Sequence, residues 1–237
     1  MNHKIIVESF NDQAVYSHIL HNHCTPRVDI EIIEKSHEWI ELGGLSPKAL
    51  TIKLKDIKSD IYKAEESLKI GIIIDIDNET IESRIALLNE ACTAAFDIPI
   101  NIENTNDFKN YIIQDENNDD FDFNLAYYLA GLNGKGELEH LLKEIADTSS
   151  SHHANCLEDG WVKCLEHKKI PINDKQLRKL WMDFYKRLDC LTPREAKQAA
   201  ENVRWDNFLR LHGDKFDFQR DIQELNEIKS FLNQFCV

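Results

Sequence analysis

From the amino terminus to about residue 130, short apolar runs alternate with stretches of helical spacing; beyond about residue 148 only the helical spacing persists. Residues 69–77, Lys69-Ile70-Gly71-Ile72-Ile73-Ile74-Asp75-Ile76-Asp77, read as a strand buried on both faces that emerges in acid at its carboxyl end. Residues 3–8 repeat that plan: a short apolar strand ends at Glu8, a polar turn with capping residues follows at 9–12, and residues 13–20 have helical spacing. Residues 28–34 alternate apolar and acidic side chains, as a half-exposed strand does. Gly43-Gly44 marks a loop, and Pro47 opens a helix running to about residue 59. A helix is predicted over 79–93, capped by Asp77 or Asn78, with Ile81, Ile85, Leu88 and Cys92 on its inner stripe. Strands at 108–114 and 121–130 flank a hydrophilic turn at 115–120. Alternating strands and helices predict an open α/β fold, with a mostly parallel sheet covered by helices on both faces.

After residue 148 three helices are predicted, near 154–167, 174–188 and 192–203, the last opened by the capping box Thr192-Pro193-Arg194-Glu195. A final helix carries Ile222, Leu225, Ile228, Phe231 and Leu232 inward. Trp161, Trp181, Trp205, Phe184 and Tyr185 are expected in the core. The resulting division is an α/β domain over 1–147 and a helical extension over 148–237 packed on it.

The acids carry the chemistry. Side chains alternate along a strand, so Asp75 and Asp77 are expected on one side. Two neighbouring carboxylates repel at the mouth of an apolar sheet, and a divalent cation with a taste for oxygen ligands, Mg²⁺ or Mn²⁺, relieves that repulsion. The plainer alternative makes Asp77 a helix cap and Asp75 a solvated loop residue. Reactive groups in open α/β sheets collect at the carboxyl ends of strands. If the two acid-ended strands are neighbours, Glu8, Asp75 and Asp77 converge on one cation.

Val7-Glu8-Ser9-Phe10-Asn11-Asp12, followed by Ile72-Ile73-Ile74-Asp75-Ile76-Asp77, resembles the paired signature of the Toprim domain of topoisomerases, primases, 5S-RNA-maturing ribonucleases and OLD-family nucleases. Ser9 stands where that family has glycine. The resemblance covers roughly residues 1–145 and is nearest to small stand-alone prokaryotic Toprim proteins related to OLD nucleases, several of which work beside an ATPase in phage defence. It implies Glu8, Asp75 and Asp77 as catalytic and metal-binding residues, and Asp12 as a substrate contact. The glycine-rich stretch Gly131-Leu132-Asn133-Gly134-Lys135-Gly136 enters a helix and could cradle an anion, with Lys135 meeting a phosphate. It lacks the Lys-Ser/Thr pair of a Walker loop. OLD-like relatives carry a comparable loop, which implies that Glu139 approaches a second metal. Read from the residues alone, Glu137 and Glu139 instead complement the helix dipole.

Charge changes this picture. The chain of 237 residues has a net charge of -14, whereas proteins that hold long duplexes present basic surfaces. Either the basic residues act locally, as the clustering of Lys163, Lys168, Lys169, Lys175, Arg178 and Lys179 suggests, or a partner brings the nucleic acid. No apolar run is long enough to cross a bilayer. The charged start that runs into a strand is unlike a signal peptide, so a cytoplasmic location is expected. The six cysteines include no CxxC pair and are expected to be reduced thiols. His152, His153, Cys156, Cys164 and His167 match no standard zinc spacing, and Cys156 and Cys164, with Leu157 and Leu165, fit the inner face of a helix.

The expected function is a metal-dependent phosphodiesterase, a nuclease cutting RNA or DNA, that could be the effector of a defence system with an ABC-type ATPase; a homodimer is compatible with it. One rival is a latent or regulatory Toprim subunit that docks an ATPase. The other is a haloacid-dehalogenase phosphatase. That family uses the first Asp of a DxD strand as nucleophile, but places the motif at the amino terminus and wants Thr or Val where this chain has Glu79.

Overall fold

The protein is described by a computed structural model covering residues 2–22, 27–33, 47–77, 79–131, 138–198 and 204–236. Gly43, Gly44, Asn78 and Lys135, singled out above, lie outside the described residues. The chain divides into two compact units, residues 1–136 with 226–237, and residues 137–225. This differs from the division at 147, because the sheet unit ends soon after its last strand and reclaims the chain at residue 226. The capped helix patterns past residue 148 gave no hint of that return.

Five strands, β1 (His3–Val7), β2 (Val28–Ile32), β3 (Leu68–Asp75), β4 (Lys109–Gln114) and β5 (Asp120–Ala130), form one open sheet in the order β2-β1-β3-β5-β4. All neighbours are parallel except β4, which pairs antiparallel with β5 at the edge. Residues 115–119 make a tight hairpin turn there, in which the Asp115 carboxylate accepts from the Asn117 and Asp119 amides at 2.8 and 3.0 Å. The hairpin lies at the amino end of β5, so this acidic turn is remote from the carboxyl ends of the parallel strands.

β1 and β3 pair with Ile5 opposite Gly71 and Val7 opposite Ile73. The alternating side chains Ile6, Ile70, Ile72, Ile74, Leu125, Tyr127 and Leu129 form one core with α2 (Pro47–Ile61) and α3 (Ile81–Phe96). Leu88 and Cys92 of the expected inner stripe are fully buried, and Ile81 and Ile85 pack against them. From β1 the chain runs outward through α1 (Phe10–His21) to β2, then returns past β1 to β3. Right-handed crossovers in opposite directions put α1 on the face opposite α2 and α3. That face is also covered by residues of α10 (Gln223–Asn233) and the turn after it: a β-carbon built on Gly71 would stand 2.7 Å from Phe235 and 3.1 Å from Phe231. Glycine is needed in the middle of this strand because two phenyl rings lie on its backbone.

The half-exposed β2 owes its acids to a neighbour. Lys4 of β1 is buried, and its ammonium donates to Asp29 at 3.1 Å and Glu31 at 2.7 Å. Despite burial, those two partners hold its pKa up at about 12.

The second unit contains α4 (Leu138–Ile145), α5 (His152–Cys156), α6 (Lys163–His167), α7 (Asp174–Phe184), α8 (Pro193–Gln198) and α9 (Trp205–His212), and aromatic side chains pack together in its core. Trp181 stacks on Tyr185 with centroids 5.1 Å apart, and Phe216 packs against Tyr185 and Trp205, each at 5.7 Å. Two π-helical turns, Leu157–Val162 and Tyr185–Cys190, interrupt the helices that periodicity predicts as continuous. Each shifts the helical register. Leu157 is buried while Cys156 and Cys164 are exposed, and Trp161 and Phe184, expected in the core, stand out in solvent. Cys92, Cys156, Cys164 and Cys190 are free thiols, but Cys236 is disulfide-bonded. Composition could not reveal that bond, because only folding brings a thiol to its partner.

Candidate functional site

The crossovers from β1 and β3 leave toward opposite faces, so the carboxyl ends of these adjacent strands flank the topological switch point, where open α/β sheets form their crevice. Glu8 follows β1 directly, and Asp75 is the last residue of β3. Strand pairing holds them together: the Glu8 carboxylate accepts a hydrogen bond from the Asp75 backbone N–H at 3.0 Å. Burial pushes the Glu8 carboxyl up to about 7, the nearby charges of Asp12 and Asp77 add to the rise, and the Asp75 N–H bond and Arg84 oppose it. Asp12 enters this neighbourhood because Ser9 caps α1, its hydroxyl accepting the Asp12 N–H at 3.3 Å. Asp12 is thus a further carboxylate beside Glu8.

Asp77 differs from the simple alternation argument. β3 ends at Asp75, the Ile76 N–H donates to the Ala130 carbonyl at 3.1 Å, and Asp77 turns into the left-handed region at φ 53°. Aspartate tolerates that conformation better than most residues. The helix cap is Thr80 and not Asp77: the Thr80 hydroxyl accepts the Ser83 N–H at 3.1 Å. Asp77 is engaged instead by Arg84 on the first turns of α3. The guanidinium donates to the Asp77 carboxylate at 3.1 Å through Nη2 and to the Ile76 carbonyl at 3.3 Å through Nε.

Arg84 is only 5% exposed and is the residue that sequence reasoning missed. Its signal was present: it falls on the inner stripe between Ile81 and Leu88, where a charge is out of place unless something buried answers it.

The donor set is made of carboxylate oxygens, which suits a hard divalent cation in kind. In arrangement it is not assembled: among the described residues no group of three His, Cys, Asp or Glu side chains is placed to hold a metal ion, and Arg84 already occupies Asp77. Glu139 belongs to the other unit, at the start of α4, with the Lys179 ammonium 4.0 Å away. His153 pairs with Asp189 at 2.8 Å. Among the described residues no helix is long and apolar enough to cross a membrane.

A family model described as a protein of unknown function, DUF3226, matches residues 2–237. No curated protein and no solved structure matches the chain.

Proposed function

The chain belongs to the DUF3226 family, and we propose that it is a Toprim-type, divalent-metal-dependent phosphodiesterase acting on RNA or DNA. The observation that carries this reading is the meeting of Glu8 with the Asp75 N–H at the switch point, with Asp12 and Asp77 close enough to raise its pKa. Glu8, Asp75 and Asp77 would hold the Mg²⁺ or Mn²⁺, which when bound would stabilise negative charge on a phosphodiester. Glu8 gains or loses a proton at its carboxylate near neutral pH, as a general acid or base requires. The Asp75 N–H orients that carboxylate. Asp77 must exchange Arg84 for the cation or share it, so Arg84 is the counter-ion of the resting site. An ATPase partner that triggers this exchange fits the defence role.

Incubation of the purified protein with single-stranded and duplex RNA and DNA, in Mn²⁺, Mg²⁺ or chelator, tests the proposal. Cleavage that is lost in chelator and in folded Glu8→Gln and Asp75→Asn variants supports it. Full chelator-sensitive cleavage by a folded Glu8→Gln protein overturns it.

The Arg84–Asp77 ion pair favours one alternative, a latent or regulatory subunit. In that case the wild-type protein binds no Mn²⁺ in an electron paramagnetic resonance titration and cuts nothing.

A further inference from the structure

The helical unit carries a feature unrelated to the acid site. Trp161, Leu165, Ile170, Ile172 and Leu180 line an open groove of about 500 Å³. Its walls are exposed apolar side chains: Ile170 is 49%, Trp161 41% and Leu180 37% accessible. Phe184, exposed to the same degree as Leu180, lies one helical turn beyond it on the same side of α7. Isolated exposed apolar residues are ordinary, but a lined groove is a recognition feature.

The charge around this groove opposes that of the whole chain. Residues 163–180 contain six basic and two acidic residues, a local surplus of four positive charges in a protein of net charge -14. Lys163, Lys168, Lys169 and Lys179 are exposed; Lys163 stands 3.7 Å from Asp159 and Lys179 4.0 Å from Glu139, surface pairs that a partner's carboxylates would have to share.

The local backbone joins the two properties. α6 ends in a Schellman turn, in which the Lys169 N–H donates to the Glu166 carbonyl at 2.9 Å and the Ile170 N–H to the Leu165 carbonyl at 2.9 Å. Leu165 and Ile170 are the apolar pair of that motif, and both line the groove. The left-handed position, which favours glycine, holds Lys169 at φ 56°. A lysine here keeps a positive charge at the groove's rim against the backbone preference.

We propose that this groove docks an acidic amphipathic helix of a protein partner, with apolar side chains at i, i+3 or i+4, and i+7 seated among Trp161, Ile170 and Leu180, and carboxylates facing the lysines. Charge complementarity selects an acidic partner. Trp161 is the one aromatic side chain among the described lining residues, which also include Gln176 and Lys179, whereas a track for single-stranded nucleic acid stacks successive bases on aromatic faces.

Selection of displayed random 16-residue peptides against the full chain, with a Leu180→Asp variant as counter-target, tests the proposal. Enriched peptides should carry the helical apolar spacing and an excess of Glu and Asp. Their affinity, read by fluorescence anisotropy, should fall at least tenfold in Leu180→Asp and in Trp161→Ala, both changes at exposed positions. Lys169→Gly separates recognition from folding: it should raise the melting temperature by relieving the left-handed lysine, yet weaken the peptides several-fold. No enrichment, enrichment of basic peptides, or affinity unchanged in the groove variants would overturn the proposal. So would tighter binding of an oligo(dT) strand than of any peptide, or a dimer that Leu180→Asp dissolves, which would make a second copy the occupant.

Discussion

The carboxyl end of the sheet and the α6–α7 groove of the helical unit treat charge in opposite ways. At the sheet end, carboxylates are drawn together under burial, one is pushed toward neutrality, and another is answered by an internal guanidinium. At the groove, exposed lysines, two of them beside carboxylates, surround apolar side chains that stand partly in solvent. Buried like charges require an outside or internal cation, whereas exposed lysines beside apolar surface suit a macromolecular surface. A net charge of -14 therefore describes neither region, and an argument from total charge alone misjudges both.

The largest expected effect that would break this contrast is on catalysis. Glu8→Gln and Asp75→Asn should each lower cleavage by about 10²–10⁴-fold, the usual contribution of general acid–base chemistry, measured as initial rates on labelled RNA and DNA in Mn²⁺. Next is the internal counter-ion. Arg84→Met should cost roughly 3 kcal/mol in chelator, because it strands Asp77 among other carboxylates; added Mn²⁺ should restore part of that loss and bind more tightly than to wild type, as read by denaturant titration and calorimetry.

The third prediction concerns pH. Glu8 is raised in the folded state to about 7, so the fold holds its proton more tightly than the unfolded chain does. Its carboxyl therefore costs no stability at pH 4 and lowers stability progressively as pH rises through 7. In chelator, Glu8→Gln should be more stable than wild type at pH 8 by up to about 3 kcal/mol, at about 1.4 kcal/mol per pH unit, with the difference vanishing below about pH 5. A variant that loses activity while gaining stability marks a functional carboxylate; equal stability at both pH values would show that Glu8 is not buried as described. The smallest effect is a packing one. Gly71→Ala should cost about 1–2 kcal/mol by crowding Phe231 and Phe235, read as a lower midpoint in urea, with cleavage retained.

Legibility in the sequence followed the length scale of each interaction. The isoleucine run of β3, the acid after β1 and the alternation of β2 are local patterns, so strand positions and the parallel sheet could be read directly. The adjacency of β1 and β3, which unites Glu8 with the Asp75 amide, could be stated only as a condition, since strand order is a property of the fold. Asp77 was read by strand alternation, but the strand stops at Asp75 and the next residues turn on the Ala130 carbonyl. Thr80 rather than an earlier residue caps α3 because the turn through Asp77 intervenes. Arg84 was overlooked because a lone charge on an apolar stripe looks like an exception until its partner is known. Trp161, in a π-helical turn, and Phe184, on α7, came out of the core because a large aromatic side chain is expected inside on its type alone, and type does not say which side of a helix it occupies.

The rings over Gly71 have a consequence for biosynthesis. Phe231 and Phe235 reach the ribosomal exit long after β1, β3 and β5, so until then α1 is the cover that the nascent sheet has on that side. Until those phenylalanines arrive, the middle of β3 lacks the rings that pack on its glycine. Proteolytic clipping near residue 226 should therefore loosen the packing over Gly71.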